Sequence, residues 1–282
     1  VVRVRVPARS WRSEWRAIKI MWRRELIRFK NDRARIVTSL VQPLLFLFVL
    51  GSGLEAFGAG AATDGSINIK TFIYPGILCM TVMFTAMFSS MSIVWDREFG
   101  FLREMMVAPI KRSSIVIGKV LGGATVASLQ GVVMIVIAPL VDIPYNPVMI
   151  LGLFAMMVLL AAAITAFGVM IAARIKQMQS FMGIMQMIIM PMFFISGALY
   201  PVSGLPTWLA VLNRFDPLTY AVDPMRKIVF NHIDISAAQA AALNPGVTWF
   251  GWIVPTALEI AVVAILGLVM LGIAIWEFNT AE

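Results

Sequence analysis

The sequence predicts an all-α polytopic membrane protein with six transmembrane helices, and three observations predict it. The 282-residue chain is 60% hydrophobic and only 13% charged, whereas soluble domains are about 45–50% apolar and could not cover themselves with so few polar groups. Six apolar runs, over residues 36–54, 71–95, 114–141, 148–173, 180–199 and 248–276, reach the roughly 20 residues that a helix needs to cross a bilayer. Lysine and arginine are also segregated. Twelve precede the first run, five lie in 95–119, and Arg174 and Lys176 follow the fourth. The alternate segments hold only Lys70, Arg214, Arg226 and Lys227. The positive-inside rule then places both termini in the cytoplasm, and topology accounts for the net charge of +8 without a nucleic-acid partner.

Residues 1–35 form the first unit. The start, VVRVRVPARS, has no apolar core of signal-peptide length and reads as a cytoplasmic tail. After it, Trp11, Trp15, Ile18, Trp22, Leu26 and Phe29 recur every three or four residues, with Arg12, Arg16, Lys19, Arg23, Arg24 and Lys30 alongside. Indoles at helical spacing beside cations are the pattern of an interfacial helix. This predicts membrane contact through Trp11, Trp15, Trp22, Arg23, Arg24 and Phe29, or packing on a partner protein. Asn31-Asp32 allows a bend into residues 36–282, the membrane unit. Pro43, Pro75, Pro139, Pro191 and Pro255 fall inside apolar runs, where proline frees a carbonyl and kinks the axis. Lys119 lies near the start of its run, where it can snorkel.

Between the second and third runs stands WDREFGFLREMMVAPIKRSSIVIGK, residues 95–119. Its charges, with Phe99, Leu102, Met105 and Met106 on one side, predict a short amphipathic helix over about 96–108. Pro109 ends it, because proline disfavours helical geometry at the residue before it. A plain connection would need only a few polar residues. This one reads as a docking helix for the groove of a soluble partner, or as a helix lying against lipid.

Other chemistry is excluded by residue type. One cysteine, Cys79, permits no internal disulfide, and one histidine, His232, makes no metal site. Gly118-Lys119 is followed by Val120 and lacks the upstream glycine of a phosphate-binding loop. No clustered nucleophile, acid or base suggests an intramembrane enzyme. A secondary transporter would show several buried ionisable groups. Only Glu259 sits deep in a run, where a neighbouring helix must hydrogen-bond it or a proton or cation must use it.

REFGFLREMMVAPIKRSSIVIGK resembles the cytoplasmic loop of ABC-2 type transporter permeases of the daunorubicin-resistance group, the membrane subunits of type V ABC exporters. The match covers Arg97, Glu98, Gly100, Pro109, Arg112, Gly118 and Lys119. NRFDPLTYAVDPMR, residues 213–226, resembles that group's segment before the last span. The resemblance implies that the loop is a coupling helix seated on a separate ATP-binding subunit through Arg97, Glu98, Gly100, Phe101, Leu102, Arg103, Glu104, Pro109 and Arg112. Arg103 stands where relatives often carry an acid or Gln. It further implies two permeases with two ATPases, and ATP and Mg on the partner chains with no cofactor on this one. Short re-entrant helices within an extracellular cap of about 200–247 would form an outer gate of Leu205, Trp208, Leu212, Pro217 and Tyr220. Spans two and five would line a pathway at the dimer axis, with Phe84, Phe88, Met185, Gln186 and Phe193 as candidates. Asp216 before Pro217 and Asp223 before Pro224 read as helix starts. The function expected is plasma-membrane export of a drug, lipid or glycolipid. Lipo-oligosaccharide or polysaccharide export and, at a further remove, secondary transport are the alternatives.

Overall fold

The computed structural model describes residues 11–56, 68–107, 110–202, 206–233, 235–249 and 251–280. The tail over 1–10, Pro109 and Leu205, and the side chain of Arg103, lie outside the described residues. Helix α1 (Trp11–Asn31) precedes the spans. Span 1 runs over Arg33–Ala56. Within it α2 (Arg33–Leu45), capped by the Asp32 carboxylate on the Arg35 amide, gives way to a π-helical turn at Phe46–Leu50 and then to α3 (Gly51–Ala56). Pro43 lies just upstream of that turn, and the amide it lacks is the local reason to widen the helix. Spans 2 to 6 are α4 (Ile69–Glu98), α6 (Arg112–Ile137, prolonged by a 3-10 turn to Val141), α7 (Pro147–Arg174), α8 (Met178–Ile195) and α12 (Thr256–Thr280). The six are long and apolar enough to cross a membrane.

Helix α4 is the axis of the bundle. Residues 71–87 are buried without a break, and α6, α7, α8 and α10 (Thr219–Phe230) pack on it. Small residues bring the axes close. A Cβ at Gly123 would lie 2.6 Å from Thr165, and one at Gly168 would lie 2.3 Å from Ser90. Hydroxyls and an amide tie neighbouring spans where no water competes: Tyr74 donates to the Met134 carbonyl (2.9 Å), Ser90 to the Thr165 carbonyl (3.2 Å) and Gln130 to Ser39 (2.9 Å).

The structure moves several expected boundaries. The last span begins at Thr256, not near 248, because residues 248–253 form a two-stranded hairpin, β1 (Thr248–Trp249) with β2 (Trp252–Ile253), turned by Gly251 at φ +87°. Glu259 therefore sits in the first turn of α12. Of the five, Pro43, Pro75 and Pro191 lie inside the α-helices of spans, Pro139 sits in the 3-10 turn that ends span 3, and Pro255 just precedes span 6. Among its described residues the cap holds three short helices, α9 (Thr207–Phe215), α10 and α11 (Ala237–Leu243). Asp216 accepts from the Leu218 amide at the entry to α10 (3.1 Å), whereas Asp223-Pro224 is interior to that helix and starts nothing.

Span 5 is the short one. Its 18 residues reach about 27 Å against about 42 Å for the 28 residues of span 4. The cap fills the difference. Asn213 donates to the Ile195 carbonyl that ends α8 (2.7 Å), and α10, buried from Thr219 to Arg226, lies beside α7 with Ile228 against Gly152. At its foot Pro217 closes a wholly apolar cavity of about 180 Å³ with Leu160, Ile164, Met192, Val263 and Met270. Tyr220 is buried here; its hydroxyl donates to the Arg214 carbonyl (2.7 Å) and accepts from Trp249 (2.8 Å).

Burial pushes the Asp216 carboxyl up from 3.8 to about 7, against the smaller opposing effects of its bonds from Leu218 and Thr219. The folded cap thus holds a proton that the unfolded chain releases near 3.8, so this group's stabilisation is complete below about pH 4 and is lost as pH rises towards 7. Hydrogen exchange over 207–230, corrected for intrinsic rates, is expected to speed up across that window. The dependence should flatten in Asp216→Asn, whose amide oxygen keeps the bond from Leu218.

Candidate functional site: the segment between spans 2 and 3

Span 2 continues one turn past its apolar run and stops at Glu98. Gly100, at φ +81°, reverses the chain, and α5 (Phe101–Val107) follows. The short helix is thus 101–107 rather than 96–108. Gly100 permits a backbone conformation that a residue with a Cβ adopts only with strain. Leu102 is the buried anchor of α5, while Phe99, Phe101 and Val107 are 63, 52 and 86% exposed and Glu104 stands out beside them.

The side chains expected to meet a partner divide into two sets. Phe101 and Glu104 face outward, whereas Arg97, Glu98 and Arg112 turn back onto the ends of neighbouring spans. Arg97 donates to the carbonyls of Ala172, Ala173 and Ile175 (3.1, 2.7 and 2.7 Å). Glu98 accepts from the Met178 amide (3.1 Å), and Arg112 donates to the carbonyls of Phe278 and Asn279 (3.0 and 3.3 Å).

Helix α1 is built into the same end of the molecule. Its buried stripe is Glu14, Ala17, Met21 and Glu25, one step round from the tryptophan stripe. That stripe lies along α6, where Gly118 and Gly122 allow backbone approach: a Cβ at Gly118 would stand 2.5 Å from the Met21 Cβ. Glu14 caps the start of α6, accepting from the Lys111 amide (3.0 Å) and the Ser114 hydroxyl (2.5 Å). Arg24, expected among lipid headgroups, instead clasps both oxygens of Asp96 (2.6 and 3.0 Å). Nor does Lys119 snorkel; it is buried, bonded to Glu25 (2.7 Å), to Ser92 (3.0 Å) and to Asp96. Trp22 is half-buried and donates to Thr125 (3.0 Å), and Phe29 is half-buried too; Trp11, Trp15 and Arg23 remain exposed.

Sequence reasoning missed this cluster. Its signal was present in the i, i+3, i+7, i+11 spacing of Glu14, Ala17, Met21 and Glu25, which places acids at both ends of an otherwise apolar stripe.

The other candidate groups are dispersed. Phe84 and Phe88 stack obliquely at 6.4 Å on α4. Met185 and Phe193 are buried against the bundle, Phe193 edge-on to Phe46 at 6.0 Å, while Gln186 lies on the open side of α8 with Met182, Met187 and Phe194. Trp208 and Leu212 are exposed on α9, and Pro217 is half-buried below them. Glu259 is fully buried and bound to Lys227 (3.3 Å), which also pairs with Asp223 (2.7 Å). Its environment is that of a tie between cap and last span. Among the described residues no cluster of His, Cys, Asp or Glu could hold a metal.

The profile of the family "ABC-2 type transporter" matches residues 16–230. The chain is 27% identical over 215 residues to "Putative transport permease ycf38" of Cyanophora paradoxa, covering 76% of this chain and 73% of that one. It is 26% identical over 233 residues to "Nodulation protein J" of Rhizobium leguminosarum bv. trifolii, covering 82% and 85%. It is 28% identical over 166 residues to "Probable multidrug ABC transporter permease YbhR" of Escherichia coli, covering 58% and 45%.

Proposed function

The chain belongs to the ABC-2 type transporter family, and from that premise we propose that it is the membrane permease of an ATP-driven exporter of amphipathic or apolar molecules. In this reading it hydrolyses nothing. A separate ATP-binding subunit carries ATP and Mg, and two permeases combine with two such subunits in the plasma membrane, with both termini in the cytoplasm.

The observation that carries the proposal is the surface of the segment after span 2. Phe99, Phe101, Glu104 and Val107 form an exposed, largely apolar face on an element fixed to the ends of the spans. Apolar side chains held outward by a two-turn helix suit the groove of a soluble subunit, and a helix passes on displacement better than a loop. ATP does work here only if the closed partner prefers one arrangement of the spans. An apolar cargo suits the open side of span 5, where Met182, Met187 and Phe194 are exposed beside the pathway candidate Gln186, and methionine adapts to varied apolar shapes. Trp11 and Trp15, exposed and edge-on at 6.0 Å, supply the lipid contact.

Val107→Asp places a charge at the most exposed apolar position of the face. It is expected to release the ATP-binding subunit, identified by its Walker motifs, from tagged permease isolated from the native host. Melting of the permease itself should not change. Undiminished co-purification would sink the docking assignment.

A further inference from the structure

Arg97, Glu98 and Arg112 each meet a helix end of the opposite polarity. The C-terminal turn of a helix presents unsatisfied carbonyls and partial negative charge, and the N-terminal turn presents amides and partial positive charge. Arg97 sits on the last carbonyls of span 4, Glu98 on the first amide of span 5 and Arg112 on the last carbonyls of span 6. The sign is right at all three, and every bond is charge-assisted, the stronger class of hydrogen bond. The three side chains flank α5 on both sides, two on the turn before it and one after it. Spans 4 and 6 are joined to each other at the same level by Arg174 and Glu277 (2.6 Å).

We propose that Arg97, Glu98 and Arg112 are positioning residues, a three-point clamp through which the segment between spans 2 and 3 carries the ends of spans 4, 5 and 6 with it. The clamp deepens the reading of that segment as the coupling element and rests on it. Contact with the ATP-binding subunit falls to Phe99, Phe101, Glu104 and Val107; the three clamp residues transmit what that contact imposes. A clamp of this form explains why the segment needs charge at these places although its docking face is mostly apolar. Span 3 needs no such clasp, since it leaves the segment directly at Arg112 and is capped by Glu14 from α1.

Distances between spin labels test the clamp. Cys79 is fully buried, so labels can be introduced in pairs at exposed positions: Lys111 with Lys176, with Gln179 and with Thr280. The permease is reconstituted with its own ATP-binding subunit and measured without nucleotide and after trapping with ATP and vanadate. In the otherwise native chain all three distances are expected to stay narrow and unchanged on trapping, because segment and span ends move together. Arg97→Met should shift the 111–176 distance most, Glu98→Ala 111–179 and Arg112→Met 111–280, with only a smaller change passed on to neighbouring span ends through the Arg174–Glu277 tie and the short link between spans 4 and 5. Glu98→Gln, whose amide oxygen still accepts from Met178, should restore the native distance. A cap that merely stabilised one helix end would not yield this span-by-span pattern.

The clamp is overturned if the native distances change on trapping or if the variants behave as native. It is also overturned if a variant sheds the ATP-binding subunit with its distances intact, which would make that residue a partner contact. Failure of the underlying reading has its own signature: Val107→Asp keeps the subunit and still traps. That outcome removes the clamp along with the coupling segment, through association rather than distance.

Discussion

Lys119→Met is expected to leave little folded permease. The ammonium stands between two buried carboxylates, Glu25 at 2.7 Å and Asp96, and also donates to Ser92. Without it Glu25 loses its salt bridge, while Asp96 keeps Arg24. Breaking a buried charge network from one side costs about 3–5 kcal/mol, because the orphaned charge stays in a medium that cannot solvate it. That is a large part of the total stability of about 5–15 kcal/mol. The loss should appear as a collapse of the monodisperse peak in fluorescence-detected size exclusion after mild heating. Removing both charges is a different matter. The double variant Lys119→Met, Glu25→Gln leaves the Arg24–Asp96 pair intact and should recover most of the peak. Arg24→Met should do less harm than Lys119→Met: the arginine side chain is about a third exposed, so water screens what it gains and softens what it leaves behind. Equal damage from the two single variants would refute the account of the cluster.

What the sequence revealed of this molecule divides along a physical line. The spans were legible because hydrocarbon imposes length and composition on every residue that crosses it, and that demand is local. A short helix in this segment and helices in the cap were legible in outline for a similar reason: proline and aspartate act on their own backbone. The break at Gly100 was not, since the segment read as one helix over 96–108. Partner choice was not legible. Arg97, Glu98 and Arg112 read as partner contacts of a docking segment, and only the return of three distant helix ends to the same place shows them bonded to the spans. Lys119 near a bilayer edge reads as a snorkelling lysine until Glu25, 94 residues away in the chain, is seen beside it. The tryptophans of α1 are its largest apolar side chains, but the face that packs is set by Gly118 and Gly122 on another helix. The hairpin at 248–253 was hidden because its apolar residues merge with the run that follows, and a short apolar strand has no period distinguishing it from a buried helix.

The second large effect is expected from the smallest change, Gly76→Ala. Glycine at this point of span 2 lies against the turn that follows span 5. An added Cβ would stand 2.2 Å from the Ala198 carbonyl oxygen and 2.7 Å from its carbon and Cα. Those are backbone atoms, so no rotamer change relieves the clash, and the turn itself must move. It is also the turn that holds Arg226. That guanidinium is fully buried over the Phe72 ring at 4.3 Å, and its Nη2 donates to the carbonyls of Gly197 and Ala198 (2.9 and 3.1 Å). Burial already lowers its pKa to about 10. Overpacking alone costs about 1–3 kcal/mol; stripping acceptors from a buried cation adds a penalty of the kind the Lys119 variant incurs. Gly76→Ala should therefore rank with Arg226→Met in the same heating assay. Because the two act through one turn, the double variant should cost clearly less than the sum of the singles. Strict additivity would mean that the glycine and the arginine support the cap by separate routes, and the turn between them would lose its place as the joint that seats the cap on spans 2 and 5.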